Sequence, residues 1–241
     1  MSVPVITPTS GGPRRLQSER WLLVAATLVS LALQYIPGAQ LALYPIRLFV
    51  TIIHESGHAA MTLLTGGAVT GMAIHPDGSG VTYSLGGLIF LIYMAGYLGA
   101  TAFGALAMQM CRRSGNGKNA LLFLSAITLV ATGLWMRPWG DSMFGFFAGL
   151  AIGLALLLLS RRLTESVASF VTAFLAVQLC LNALVDIRIL IFLTTSTHAD
   201  NDAVFMAQAF GMTPWFWALL WAAGAGAILV LSLRSYWRNT R

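Results

Sequence analysis

Seven apolar runs, at residues 21–36, 41–65, 85–110, 120–136, 142–160, 167–195 and 214–233, take up most of this chain. Each meets or approaches the roughly 20 residues that a helix needs to cross the hydrocarbon core of a bilayer. In lipid every backbone polar group must be satisfied internally, so runs of this length predict helices. Composition agrees: 57% of the 241 residues are hydrophobic and only 9% are charged, against about a quarter charged in a soluble domain. Too little polar surface remains to coat a water-soluble globule. The expected fold class is therefore an all-α polytopic membrane protein with six or seven transmembrane helices. Its expected location is the cell membrane, plasma or inner.

The formal charge of +6 is carried by short basic clusters between the apolar runs: Arg14, Arg15 and Arg20, then Arg112, Arg113 and Lys118, then Arg161 and Arg162, then Arg234, Arg238 and Arg241. Such clusters read as cytoplasmic anchors facing anionic lipid, which makes the bilayer the partner and excludes a nucleic-acid stripe. The positive-inside rule then places residues 112–118, the 161–162 pair and the C-terminal tail in the cytoplasm, with the acidic 196–213 loop outside. Two full spans before the 66–84 segment and one after it would put the basic N-terminus outside, so either the 16-residue first run does not fully span or the N-terminus departs from the rule. Residues 1–20, rich in Pro, Ser, Thr and Gly, read as a disordered cytoplasmic tail. Residues 21–235 read as a single transmembrane domain and 236–241 as a basic C-terminal tail. The first run lacks a small-residue cleavage site and is expected to be retained. Cys111 and Cys180 show neither a disulfide framework nor metal spacing.

One stretch breaks the pattern. From Gly66 to Ser84 the chain mixes Gly, Val and Thr around Pro76-Asp77-Gly78, which predicts a short β-hairpin or a re-entrant loop. Such backbone survives at membrane depth only where it lines a protein cavity. Gly145, Gly149 and Gly153, and likewise Gly96, Ala100 and Gly104, recur every four residues and read as flat faces for close helix packing. No internal repeat at a fixed period is visible, which disfavours an inverted-repeat transporter.

The chemistry concentrates in His54-Glu55-Ser56-Gly57-His58, an HExxH pattern inside the 41–65 run. Residues four apart lie one above the other on a helix, so both imidazoles can reach one ion. Glu55 is then held beside it to take a proton from the bound water. A zinc ion with three protein ligands keeps a fourth position for water and lowers its pKa to about 7. An ionisable residue within the bilayer costs a few kcal/mol or more and is functional by default.

Two histidines leave the set incomplete. Of the eight acidic residues, Glu19, Asp77, Asp141, Glu165, Asp200 and Asp202 fall in tails or loops, and only Glu55 and Asp186 lie inside apolar runs. Asp186 is therefore the favoured third ligand and Asp202 the reserve. Asn182, one turn before Asp186, is placed to steady that ligand or the substrate backbone. His75 and His198 read as loop-surface residues.

His54 to Ala59, Leu64-Thr65-Gly66-Gly67, the glycine-rich Asp77 to Thr82, Ala95-Gly96-Tyr97-Leu98-Gly99 and the late Asn182 to Asp186 together resemble the site-2 protease family, in its small bacterial and plant branch of membrane-embedded zinc metallopeptidases. The resemblance covers about residues 45–215, in order. It implies cleavage of membrane-protein substrates within or near a transmembrane segment, with zinc held by the two histidines and an aspartate from a later helix. It also implies that the segment after the zinc helix offers an edge onto which an unwound substrate adds as a β-strand. Known members carry an Asn and a Pro ahead of a Leu-Asp-Gly third-ligand motif, whereas Ile187 follows Asp186 here. The expected activity is that of a zinc endopeptidase with Glu55 as general base and then acid. The rival expectations are a metal or proton transporter, which needs a line of ionisable residues, and an inactive scaffold of the same fold that binds membrane helices.

Overall fold

Short polar signals decide where the long apolar stretches start, stop and turn. The computed structural model describes residues 13–33, 36, 38–111, 116–193 and 201–238, with side chains described in all of these except 13–20, 22, 40, 182–193 and 237–238. Among them the elements run α1 (Pro13–Leu33), α2 (Gln40–Leu64), β1 (Ala68–Ile74), β2 (Gly80–Leu85), α3 (Ile89–Met110), α4 (Gly117–Trp135), α5 (Met143–Arg162), α6 (Glu165–Leu193), α7 (Asp202–Phe210) and α8 (Pro214–Arg238). The first helix begins inside the stretch read as a tail, where Pro13 opens it without needing a backbone donor. The last runs on to Arg238, past the expected start of the C-terminal tail. A further helix, α7, stands within what the sequence offered only as the 196–213 loop.

Four of the described helices are long and apolar enough to cross a membrane: Ile89–Met110, Gly117–Trp135, Gly140–Arg162 and Pro214–Tyr236. That is fewer than the six or seven expected. The difference is physical in the case of α2, which has the length but is interrupted by Arg47, His54, Glu55 and His58. The faces of α5 are those of a helix between protein and lipid. Gly145, Gly149 and Gly153 are buried, while Leu150, Leu154 and Leu158 are exposed. The glycines let α5 lie against Ile74 of β1 and against Thr132 and Leu129 of α4, the close approach that small residues allow between membrane helices.

The region after α2 folds into a two-stranded antiparallel sheet, with Met72 opposite Thr82 and Ile74 opposite Gly80, and a register irregularity between Val69 and Gly71. Two capping motifs fix its position. At the end of α2, Gly66 takes φ +81°, its amide reaches Leu63 O at 3.2 Å and the Gly67 amide reaches Thr62 O at 2.8 Å, the pattern of a Schellman cap. At the far end Gly78 (φ +84°) closes the turn, with its amide on His75 O and the His75 amide on Ser79 O, each at 2.9 Å. Pro76 and Asp77 occupy the central positions that such a turn favours. The Ser79 amide and hydroxyl both donate to Asp77 Oδ1 and hold its carboxyl below the ordinary range.

This hairpin lies back along α2. Tyr44 Oη donates to Pro76 O at 2.6 Å, Thr51 Oγ1 to Gly78 O at 2.9 Å, Thr82 Oγ1 to Glu55, and Thr62 and Ser84 pair their hydroxyls at 2.8 Å. Tyr44, Thr51, Glu55 and Thr62 follow one another by seven, four and seven residues, so they share one face of the helix. On β2 the partners are Thr82 and Ser84, while Tyr83 and Leu85 between and beyond them are exposed, as period-two alternation requires.

Candidate metal centre

The other face of α2 meets α3. At Gly57 an added Cβ would run into Ala95 O, and at Gly99 it would lie 3.2 Å from the Gly57 Cα. Bare glycine therefore allows backbone-to-backbone contact, and this brings Ile92 O within 2.7 Å of His58 Nδ1. A carbonyl only accepts, so Nδ1 carries the proton and Nε2 is left with its lone pair, which is the tautomer of a metal ligand. His54, Glu55 and His58 are 8%, 5% and 6% exposed, so all three ionisable side chains of the motif are inside the protein.

The third group comes from α7. Asn201 caps that helix, its Oδ1 accepting from the Val204 amide at 3.0 Å. Asp202 follows in the first turn, where a carboxylate is also favoured by the helix dipole. Asp202 Oδ2 lies 3.0 Å from His54 Nε2 and 3.2 Å from His58 Nε2, and the two Nε2 atoms are 3.0 Å apart. Two imidazole nitrogens and a carboxylate oxygen converging in this way fit a divalent cation. Tetrahedral zinc with bonds of about 2.0–2.2 Å spaces its ligand atoms by about 3.3–3.5 Å, only slightly wider than here. Room for the ion is kept by Gly96, where a Cβ would stand 2.5 Å from His58 Nε2 and closer still to His54 Nε2. Among the described residues this is the group of three His, Cys, Asp or Glu side chains able to hold a metal.

The α7 side is packed with rings. Phe90, Tyr93 and Tyr97, spaced along one face of α3, contact Phe210 and Trp217, Phe205, and Trp221 respectively. Tyr97 also stands edge-on to His54, at 4.6 Å between centroids. Among the described residues His54 Nδ1 is buried with no hydrogen-bond partner, so this side of the ring is held by packing where Nδ1 of His58 is held by a hydrogen bond. Trp217 Nε1 donates to Gly211 O at 2.9 Å and ties down the turn from α7 to α8.

Glu55 belongs to both faces of the site. It neighbours His54 in the chain, and its Oε2 accepts from Thr82 Oγ1 at 2.6 Å. A buried carboxylate thus stands one residue along the chain from a cluster able to hold a cation. Of the sequence-derived residues, the structure joins His54, His58 and the reserve Asp202. Asn182 and Asp186 fall on α6, but their side chains lie outside the described residues, as does His198. His75 is in the hairpin turn. Sequence reasoning missed the roles of Thr82 and Gly96, although both sit in motifs it singled out. It also passed over a signal for α7, a capping Asn201 and an acid in the first turn ahead of Ala203-Val204-Phe205-Met206.

A family model described as Peptidase M50B-like matches residues 21–232. No curated protein and no solved structure matches the chain.

Proposed function

Because the chain belongs to the M50B-like branch of the site-2 protease family, whose members are membrane metallopeptidases, we propose that it is an intramembrane zinc endopeptidase. It cuts membrane-protein substrates within or near a transmembrane segment in the cell membrane. The proposed catalytic unit is the single transmembrane domain, residues 21–235, which the family match spans almost completely. The observation that carries the reading is the convergence of His54, His58 and Asp202 beside Glu55. Asp202 is accordingly the proposed third ligand, ahead of Asp186. Among the described residues no second cluster of this kind accompanies it, as a transporter's line of sites would require.

His54, His58 and Asp202 would hold the ion, which when bound acidifies a water and polarises the peptide carbonyl. The remaining work falls to the chain. Among the described residues β2 pairs only with β1, and its second edge would receive an extended substrate segment by strand addition. Glu55 takes a proton from the attacking water as its oxygen bonds to the carbonyl carbon. It returns that proton to the amide nitrogen as the C–N bond breaks, acting as base and then as acid. The buried surroundings keep bulk water from the exchange.

The test is reconstitution of wild type and Glu55→Gln in zinc-containing buffer with a panel of single-span membrane proteins. Wild type cuts at least one of them, and Glu55→Gln, carrying the same zinc, cuts none. A wild type that leaves a broad panel intact, or a Glu55→Gln variant as fast as wild type, rejects the protease.

A further inference from the structure

The two oxygens of Glu55 have unlike surroundings. Thr82 Oγ1 lies 2.6 Å from Oε2 and 3.1 Å from the Glu55 backbone oxygen. A hydroxyl has one proton to donate, and the shorter, charge-assisted contact takes it. Oε1 accepts no hydrogen bond among the described residues, and its neighbour is Gly80. A Cβ at Gly80 would stand 2.8 Å from Oε1, 2.8 Å from Glu55 Cγ and 2.7 Å from Thr51 Cγ2. Gly80 does not adopt a positive φ, so what the position demands is space, not backbone freedom.

We infer that Thr82 and Gly80, successive α2-facing residues of β2, divide the general base between them: Thr82 anchors Oε2 and Gly80 keeps Oε1 clear as the oxygen that carries the proton. This rests on the protease reading above. In the reaction the water O–H breaks and its proton moves to Oε1 while the water oxygen bonds to the carbonyl carbon. As the C–N bond breaks, the same proton passes from Oε1 to the departing nitrogen. The Thr82 proton stays on its hydroxyl throughout, and the hydroxyl keeps the carboxylate from turning. Thr82 is thus a positioning residue acting through Glu55. It stands on the strand whose second edge would take the substrate, so the element that receives the segment also orients the base.

The experiment compares Thr82→Val, which keeps the shape and loses the donor, with Thr82→Ser, which keeps the donor. Cleavage of a reconstituted substrate gives kcat and KM, and zinc content is measured on the same samples. Losing one hydrogen bond to a charged group lowers kcat roughly ten- to a hundredfold in Thr82→Val. KM and zinc stay unchanged, and Thr82→Ser recovers most of the rate. Gly80→Ala loses kcat as well, with zinc retained. Should Thr82→Val not fold, Thr82→Ala carries the same expectation. Substrate binding measured in a Glu55→Gln background is unaffected by Thr82→Val. An unchanged kcat in Thr82→Val, a loss confined to KM, or a Thr82→Ser variant as slow as Thr82→Val overturns the inference while leaving the protease reading intact. A wild type that cuts nothing overturns the protease reading first.

Discussion

On the α3 side of the centre glycine lies against backbone; on the α7 side aromatic ring lies against aromatic ring. Gly57 touches Ala95 and Gly96 keeps clear of both histidines, so that side has no room for one more carbon. Around α7 and the start of α8 the contacts are Tyr93 on Phe205, Phe90 on Phe210 and Tyr97 on Trp221, with centroids 5.8, 5.2 and 5.2 Å apart. Rings slide and tilt at modest cost, whereas a backbone carbonyl cannot move aside without disturbing its helix. A centre whose proposed ligands lie far apart in sequence is thus held in two ways. The pair four residues apart is locked by a crossing that tolerates no change, and the distant ligand is delivered by a short helix on a more forgiving surface.

Substitutions on the two sides should therefore differ in size. The largest effect is expected of Gly96→Ala, whose methyl group enters the space between the histidines and the ion. Zinc binding and cleavage are both lost, as measured by metal analysis and substrate cutting. A Gly96→Ala variant with normal zinc breaks the account of the α3 side. Next comes Gly57→Ala, where the clash is with the Ala95 carbonyl and the helices must part. Overpacking of this kind costs about 3 kcal/mol, the upper end of the usual range, and the check is thermal unfolding in detergent. On the α7 side, Asn201→Ala removes the helix cap and costs about 1 kcal/mol. It should weaken zinc affinity while leaving the unfolding of the remaining protein nearly unchanged. The smallest effect is that of Phe205→Leu, which gives up a stacked ring pair worth about 0.5–1.5 kcal/mol and should keep activity. If Phe205→Leu proves as damaging as Gly57→Ala, the contrast between the two sides does not hold.

How far the sequence could be read follows the same division. His54, Glu55 and His58 were legible because a helix fixes the relation of residues one turn apart, and Pro76-Asp77-Gly78 marked the turn because few sequences suit that backbone. The 120–136 and 142–160 runs anticipated α4 and α5 to within a few residues, since apolar length is a direct signal. The proposed third ligand had no local signature. Asp202 stands 148 positions from His54, and what brings it there is the burial of Ala203, Met206, Trp217 and Trp221 against Tyr97. An acid inside an apolar run draws attention to Asp186 because its burial is costly. That criterion cannot see a short capped helix folding back from what looks like a loop. Among the described residues four helices are long and apolar enough to span where the sequence counted six or seven, for a related reason. Apolarity marks helices that face lipid, and α2 is enclosed by α3, α4, α5, α6 and the hairpin, so it can carry four ionisable residues and still be an inner helix.

Zinc analysis of three purified proteins tests most directly which residue supplies the third ligand. Wild type should carry about one zinc per chain, as a three-ligand site holds. Asp186→Ala should carry the same, and Asp202→Ala should lose most of it. Full zinc in Asp202→Ala together with loss in Asp186→Ala would contradict the centre described here and return the ligand to α6.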